Sequence, residues 1–144
     1  GVRISELVLF EVDDVKKGYR DIYSKGNKLR RVYIPAALKK AFEEWPGFSE
    51  RSKGILFLNR FGTPLSASGI RFQLKVFAVR YGINPDVMYP HSFRHRFAKN
   101  FIEVCPDIAL LSDLLGHDSI ETTRIYLRRS SQEQYRIVNQ VVNW

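Results

Sequence analysis

An α+β fold, mostly helical with a small three-stranded antiparallel sheet, is what this 144-residue chain predicts. Two observations carry that expectation. Between Glu11 and Pro35, short apolar runs alternate with turn signals, as hairpin-linked strands do. From Ser66 onward the apolar residues recur at three- and four-residue intervals, the period of helices that bury one face.

Taken in order, residues 2–10 read as the last turns of a helix, with Val2, Leu7 and Phe10 apolar among polar neighbours. Val12 and Val15 then precede a turn at Lys17-Gly18, and Tyr19, Ile22 and Tyr23 lead into another at Lys25-Gly26-Asn27. Leu29 to Ile34 returns and ends at Pro35, which completes three short strands. A helix over 36–45 stops at Pro46-Gly47, Ile55 to Leu58 is a short apolar run, and Arg60 to Pro64 is a turn. Ser66 or Ser68 caps a helix reaching Tyr81-Gly82, with Ile70, Leu74 and Phe77 on one face. The next helix, His91 to Val104, carries Phe93, Phe97 and Phe101 at intervals of four, a stripe expected in the core. Asp107 to Leu115 follows, closed by Gly116 as a left-handed terminator. Asp118-Ser-Ile-Glu121 has capping-box spacing and predicts a helix from Ser119 to Arg129. A last helix, Gln132 to Val142, sets Tyr135, Val138 and Val142 on one face.

Composition narrows the functional classes. The length is that of one domain, enough to bury roughly two-thirds of the unfolded surface, and 44% hydrophobic content excludes wholesale disorder. The net charge of +8 points to a polyanionic partner. Positions 16–31 hold seven Lys or Arg against one Asp, a source of salt-sensitive phosphate contacts. The single cysteine, Cys105, forms no internal disulfide and reads as a small apolar residue. Nothing in the sequence has the length of a membrane span or the form of a signal peptide, so a soluble, cytoplasmic protein without membrane contact is expected.

The residues that carry chemistry are few. Helical spacing places His91 and Arg94 on one face, one turn apart. His117 sits between two helices, and Tyr126 follows nine residues later with Arg124, Arg128 and Arg129 beside it. With Arg3, these give two arginines, two histidines and a tyrosine able to surround a phosphate without a metal. A free phenol has a pKa of ~10, so only about a thousandth is ionised at neutral pH. Attack by Tyr126 therefore needs cations, both to favour phenolate and to offset charge building on the phosphoryl oxygens. Arginine grips such oxygens with paired donors, more rigidly than lysine does. The departing deoxyribose oxygen needs a proton, which a lysine on a hairpin turn, such as Lys25, could supply. A phosphotyrosine bond also conserves the energy of the broken linkage, so rejoining calls for no cofactor.

These motifs, in this order and across essentially the whole chain, resemble the catalytic domain of the tyrosine recombinases, the phage-integrase family. The resemblance implies catalytic roles for Arg3, Lys25, His91, Arg94, His117 and Tyr126, with Lys25 as general acid and Tyr126 as nucleophile. Glu6 resembles a buried carboxylate supporting the first arginine, while His95, Arg96 and Arg124 match no catalytic position. The implied activity is site-specific DNA cleavage and rejoining through a 3′-phosphotyrosyl link, in integration or excision of a mobile element. The implied partners are double-stranded DNA and further copies of the chain, a tetramer on paired sites with the last helix exchanged in trans. Residues 1–144 are expected to be a catalytic domain lacking the amino-terminal DNA-clamping domain and first helices that family members carry. Three alternatives compete: relaxation of supercoils as in a type IB topoisomerase, a catalytically silent DNA-binding module, and a metal hydrolase built on His91 and His95.

Overall fold

Local capping sets where the elements of this chain begin and end. The structure, a computed structural model, describes residues 1–23, 29–127 and 130–142. The opening helix is shorter than expected, the single turn α1 (Ile4–Leu7). The first predicted strand is instead a helix, α2 (Val12–Lys17). Its reasons are local. The Glu11 N–H donates to Asp14 Oδ2 at 2.8 Å, two acids stand in the first turn and two lysines in the last, and Gly18 closes it at φ 84°. Only one antiparallel bridge, Glu11 with Ile55, remains of that strand.

The sheet among the described residues therefore has two strands and not three. β1 (Tyr19–Tyr23) and β2 (Leu29–Tyr33) pair antiparallel, with Tyr19 opposite Tyr33 and Tyr23 opposite Leu29. The predicted turn at Lys25-Gly26-Asn27 lies outside the described residues. α3 (Ala36–Glu43) ends before Pro46 as expected, and Pro46 then opens a further turn, α4 (Pro46–Ser49). Phe10, Val12, Val15, Phe48 and Leu56 form the core here, with Ile22, Val32 and Phe42 packed against it.

The second half is helical. α5 (Ala67–Arg80) starts at Ser66, whose hydroxyl accepts from the Gly69 N–H at 3.1 Å. α6 (Pro90–Val104) has proline in its first turn. α7 (Ile108–Leu115) is capped by the Asp107 carboxylate and ends at Gly116, which takes the expected left-handed conformation, φ 64°. The phenylalanine stripe of α6 is not the core that its spacing suggests. Phe93 and Phe97 are exposed, and α6 buries Arg94 and Ala98. Ala98 packs with Leu111 and Leu115 of α7, with Phe101, Ile102 and Tyr126 at the margin.

Beyond Gly116 the predicted long helix is broken. α8 spans only Glu121–Arg124, and Ile125–Leu127 continue as a 3₁₀ turn. The expected capping box is not formed, since Ile120 occupies the cap position. Four of the six residues 120–125 are β-branched, which lowers helix propensity. The remainder of that prediction, Arg128 and Arg129, lies outside the described residues. α9 (Ser131–Val141) is capped by Ser130 and buries no residue, with Tyr135, Val138, Val141 and Val142 all exposed. No helix among the described residues is long and apolar enough to cross a membrane.

Burial separates the cost of two truncations. Leu111→Ala, at a fully buried position, is expected to lower stability by about 2–5 kcal/mol. Val141→Ala, at an exposed one, should change it by less than about 0.5 kcal/mol. Equilibrium urea unfolding checks both values.

Candidate active site

The C-terminus of α7 is where the predicted residues gather. The last carbonyls of a helix have no partner within it and carry the negative end of its dipole. Three arginines from distant parts of the chain satisfy them. Arg30, on β2, donates to the Leu114 carbonyl at 3.3 Å and also to that of Leu115. Arg94, on α6, donates to the Leu115 carbonyl at 2.7 Å and to the Gly1 carbonyl at 2.7 Å. Arg3 donates to the Gly116 carbonyl at 2.7 Å. A Cβ on Gly116 would stand 2.6 Å from Arg30 Nη1, so this close approach requires glycine as much as the left-handed backbone does.

One carboxylate lies among these cations. Glu6 accepts from the Arg3 N–H at 2.7 Å, from Arg3 Nη1 at 3.0 Å and from Arg30 Nη2 at 2.6 Å. Burial pushes the Glu6 carboxyl up, but the Arg3 N–H, the Arg30 charge and the side-chain hydrogen bonds outweigh it and hold it below the usual range. Arg94 is only 4% exposed. Its burial, followed by repulsion from Arg3 and Arg30, lowers its pKa to about 10, with Glu6 and Tyr126 opposing. It stays protonated at neutral pH. Three guanidinium groups against one carboxylate leave the cluster with a positive surplus.

That surplus borders an open cleft of about 570 Å³ lined by Arg3, His91, Arg94 and His117 together. His117 is oriented from behind. Its Nδ1 lies 2.7 Å from the hydroxyl of Thr123, a fully buried residue of α8, which leaves Nε2 for a ligand. Tyr126 does not line the cleft. Its ring rests on His95, centroids 5.1 Å apart, and its phenol is near enough to act on the charge of Arg94. Lys25 lies outside the described residues. Among the described residues no three His, Cys, Asp or Glu side chains converge to hold a metal ion.

Four predicted residues thus meet, Tyr126 stands beside them, and two supporting residues were missed. Arg30 had a signal: strand alternation places it on the same inward face as Val32 and Ile34. Thr123 had none, because its role depends on a fold-level contact with His117.

Fold and site together define a helical domain built around a cationic cleft. The phage integrase family profile matches residues 1–133, and the chain belongs to that family. It is 30% identical to tyrosine recombinase XerD of Staphylococcus haemolyticus, over 97% of this chain and 50% of that protein. Against XerD of Corynebacterium glutamicum it is 37% identical over 88% of this chain and 43% of the relative. The chain therefore spans about half the length of these curated relatives. Among solved structures, XerA recombinase superposes with a TM-score of 0.76 at 25% identity, covering 99% of this chain and 53% of that one. The Tn1549 transposon integrase in complex with circular intermediate DNA reaches 0.76 at 18% identity, covering 98% and 56%, a likeness of fold alone.

Burial, then the charges of Arg94, Arg3 and Arg30, lower the His117 pKa from 6.5, with Asp118 opposing. The unfolded chain therefore binds this proton more readily, so the contribution to stability is complete above the unfolded value and is lost as pH falls through the folded one. An NMR titration of the His117 ring should give a midpoint below 6.5. A midpoint at or above that value would contradict the geometry.

Proposed function

We propose that this chain is the catalytic domain of a site-specific DNA recombinase that cleaves and rejoins strands through Tyr126. One observation carries the reading: Arg3, His91, Arg94 and His117 line a single cleft whose lining includes no carboxylate. A phosphodiester brings the negative charge that relieves the repulsion among the arginines. Arg3 and Arg94 hold its two non-bridging oxygens, and hold them more tightly as charge builds in the transition state. His91 and His117 supply further hydrogen bonds, His117 through Nε2.

In the step itself the Tyr126 oxygen bonds to phosphorus while the bond from phosphorus to the 5′-oxygen breaks. The tyrosine proton is released, and the departing oxygen gains one. Lys25 is the proposed donor, on the strength of the resemblance. One phosphoester replaces another, so rejoining is the same step reversed and calls for neither metal nor cofactor. The reading requires the Tyr126 oxygen to leave its place beside His95 and reach the phosphate. Its position on a three-residue 3₁₀ turn that buries no residue, at the margin of the Ala98, Leu111 and Leu115 cluster, supports that. Double-stranded DNA is the proposed partner, and integration or excision of a mobile element the proposed setting, which rests on the resemblance alone.

The assembly is proposed to be a tetramer on paired sites with α9 exchanged in trans. The exposed apolar residues of α9 support this, since a helix with such a face needs a groove to cover it.

Two experiments test the reading. Tyr126→Phe removes one oxygen, so a nicked suicide duplex incubated with the protein in chelator should yield a covalent adduct with wild type and none with the variant. DNA binding should be nearly unchanged. Binding without an adduct in wild type would favour the silent module. Deleting residues 132–144 should leave the adduct measurable while abolishing cooperative assembly on paired sites. Unfolding of the truncated monomer would place the helix in its own core.

A further inference from the structure

Arg71 is a cation of the cleft that the reading above leaves without a task. It stands in the second turn of α5, a 14-residue helix fixed at its start by the Ser66 cap and on its inner face by Ala78, fully buried. It lines the same cleft as Arg3, His91, Arg94 and His117, and it is exposed where Arg94 is buried. The other two arginines there are anchored, Arg3 to Glu6 and the Gly116 carbonyl, Arg94 to the Gly1 and Leu115 carbonyls. Among the described residues Arg71 makes no hydrogen bond or ion pair.

An exposed arginine that lines this cleft with no protein acceptor among the described residues is available to an anion from outside the chain. The phosphate under attack already has four partners in Arg3, Arg94, His91 and His117, whereas a neighbouring phosphate has none of them. Phosphates recur along a strand at about 3.4 Å of helix axis each, so a duplex seated in this cleft brings a second one within reach of a long side chain. Resting on the proposed DNA cleavage, we infer that Arg71 grips the phosphodiester adjacent to the scissile one and thereby sets the register of the strand. It is a DNA-binding and positioning residue, not a participant in the bond exchange.

Arg71→Gln tests this with the protein and the nicked duplex used for adduct formation. Affinity should fall about tenfold, and the slope of log affinity against log salt should shrink by about 0.9, the share of one phosphate contact. Arg71→Lys should keep the slope and recover part of the affinity, since the charge remains and the paired donors do not. Most of the loss should fall on affinity and less on the single-turnover rate at saturating DNA. Once the adduct has mapped the scissile phosphate, a neutral methylphosphonate at one of its two neighbours should weaken wild type and leave Arg71→Gln unaffected. An unchanged salt slope, or additive losses at both neighbours, would overturn the assignment. The salt slope needs no cleavage, so absence of an adduct refutes the proposed function while this arm still decides whether Arg71 touches a phosphate.

Discussion

Glu6 lies between Arg3 and Arg30, and with Arg94 these two arginines close on the carbonyls that end α7. The arrangement joins the start of the chain, β2, α6 and α7, segments brought together across as many as 113 residues of sequence. Without Glu6, three guanidinium groups would share a small volume with only backbone dipoles to offset them. Without the αL turn at Gly116, the carbonyls would not be presented to Arg3 and Arg30 at all. Breaking a buried charge pair from one side costs several kcal/mol, because the partner is left uncompensated. The cluster is therefore both the closure of the fold and the source of the site's charge.

Its cations differ in freedom, and that difference has a chemical meaning. Arg94 and Arg30 are buried and fixed by several acceptors, so their charge is aimed before any ligand arrives. Preorganised charge of this kind needs no rearrangement at the moment when negative charge develops. Tyr126 is held differently, on a three-residue 3₁₀ turn, half-buried at the margin of the Ala98, Leu111 and Leu115 cluster and against the His95 ring. A rigid charge frame beside a half-buried phenol suits the nucleophilic role proposed for Tyr126. His117 belongs with the rigid part, because the buried Thr123 fixes one ring nitrogen and thereby directs the other.

Much of this was legible from residue spacing. The Gly116 terminator, the Pro46 stop and the Ser66 cap act within a few residues of themselves, and the structure has them as expected. Val12 and Val15 were misread as strand although their separation of three is helical, and the Glu11 and Asp14 pair was already a capping signal. The α6 stripe misled because helical period says which residues share a face, not which face is covered. Here the covered face holds Arg94, whose burial depends on carbonyls contributed by α7 and by residue 1. Helical spacing links His91 to Arg94, but the roles of Arg3 and His117 beside them came from a resemblance, since no local pattern joins positions so far apart. Arg30 was within reach, as a charge on an inward strand position implies a buried partner. Thr123 was not.

The central claim is that the arginines act by offsetting charge on the non-bridging oxygens of a DNA phosphate. The most direct measurement compares cleavage by wild type and Arg3→Ala on two duplexes, one with the natural scissile phosphate and one with a neutral methylphosphonate in its place. If the account holds, the variant loses on the order of a hundredfold or more on the charged substrate and far less on the neutral one. An equal loss on both would show that Arg3 serves only to hold the fold together, and would contradict the account.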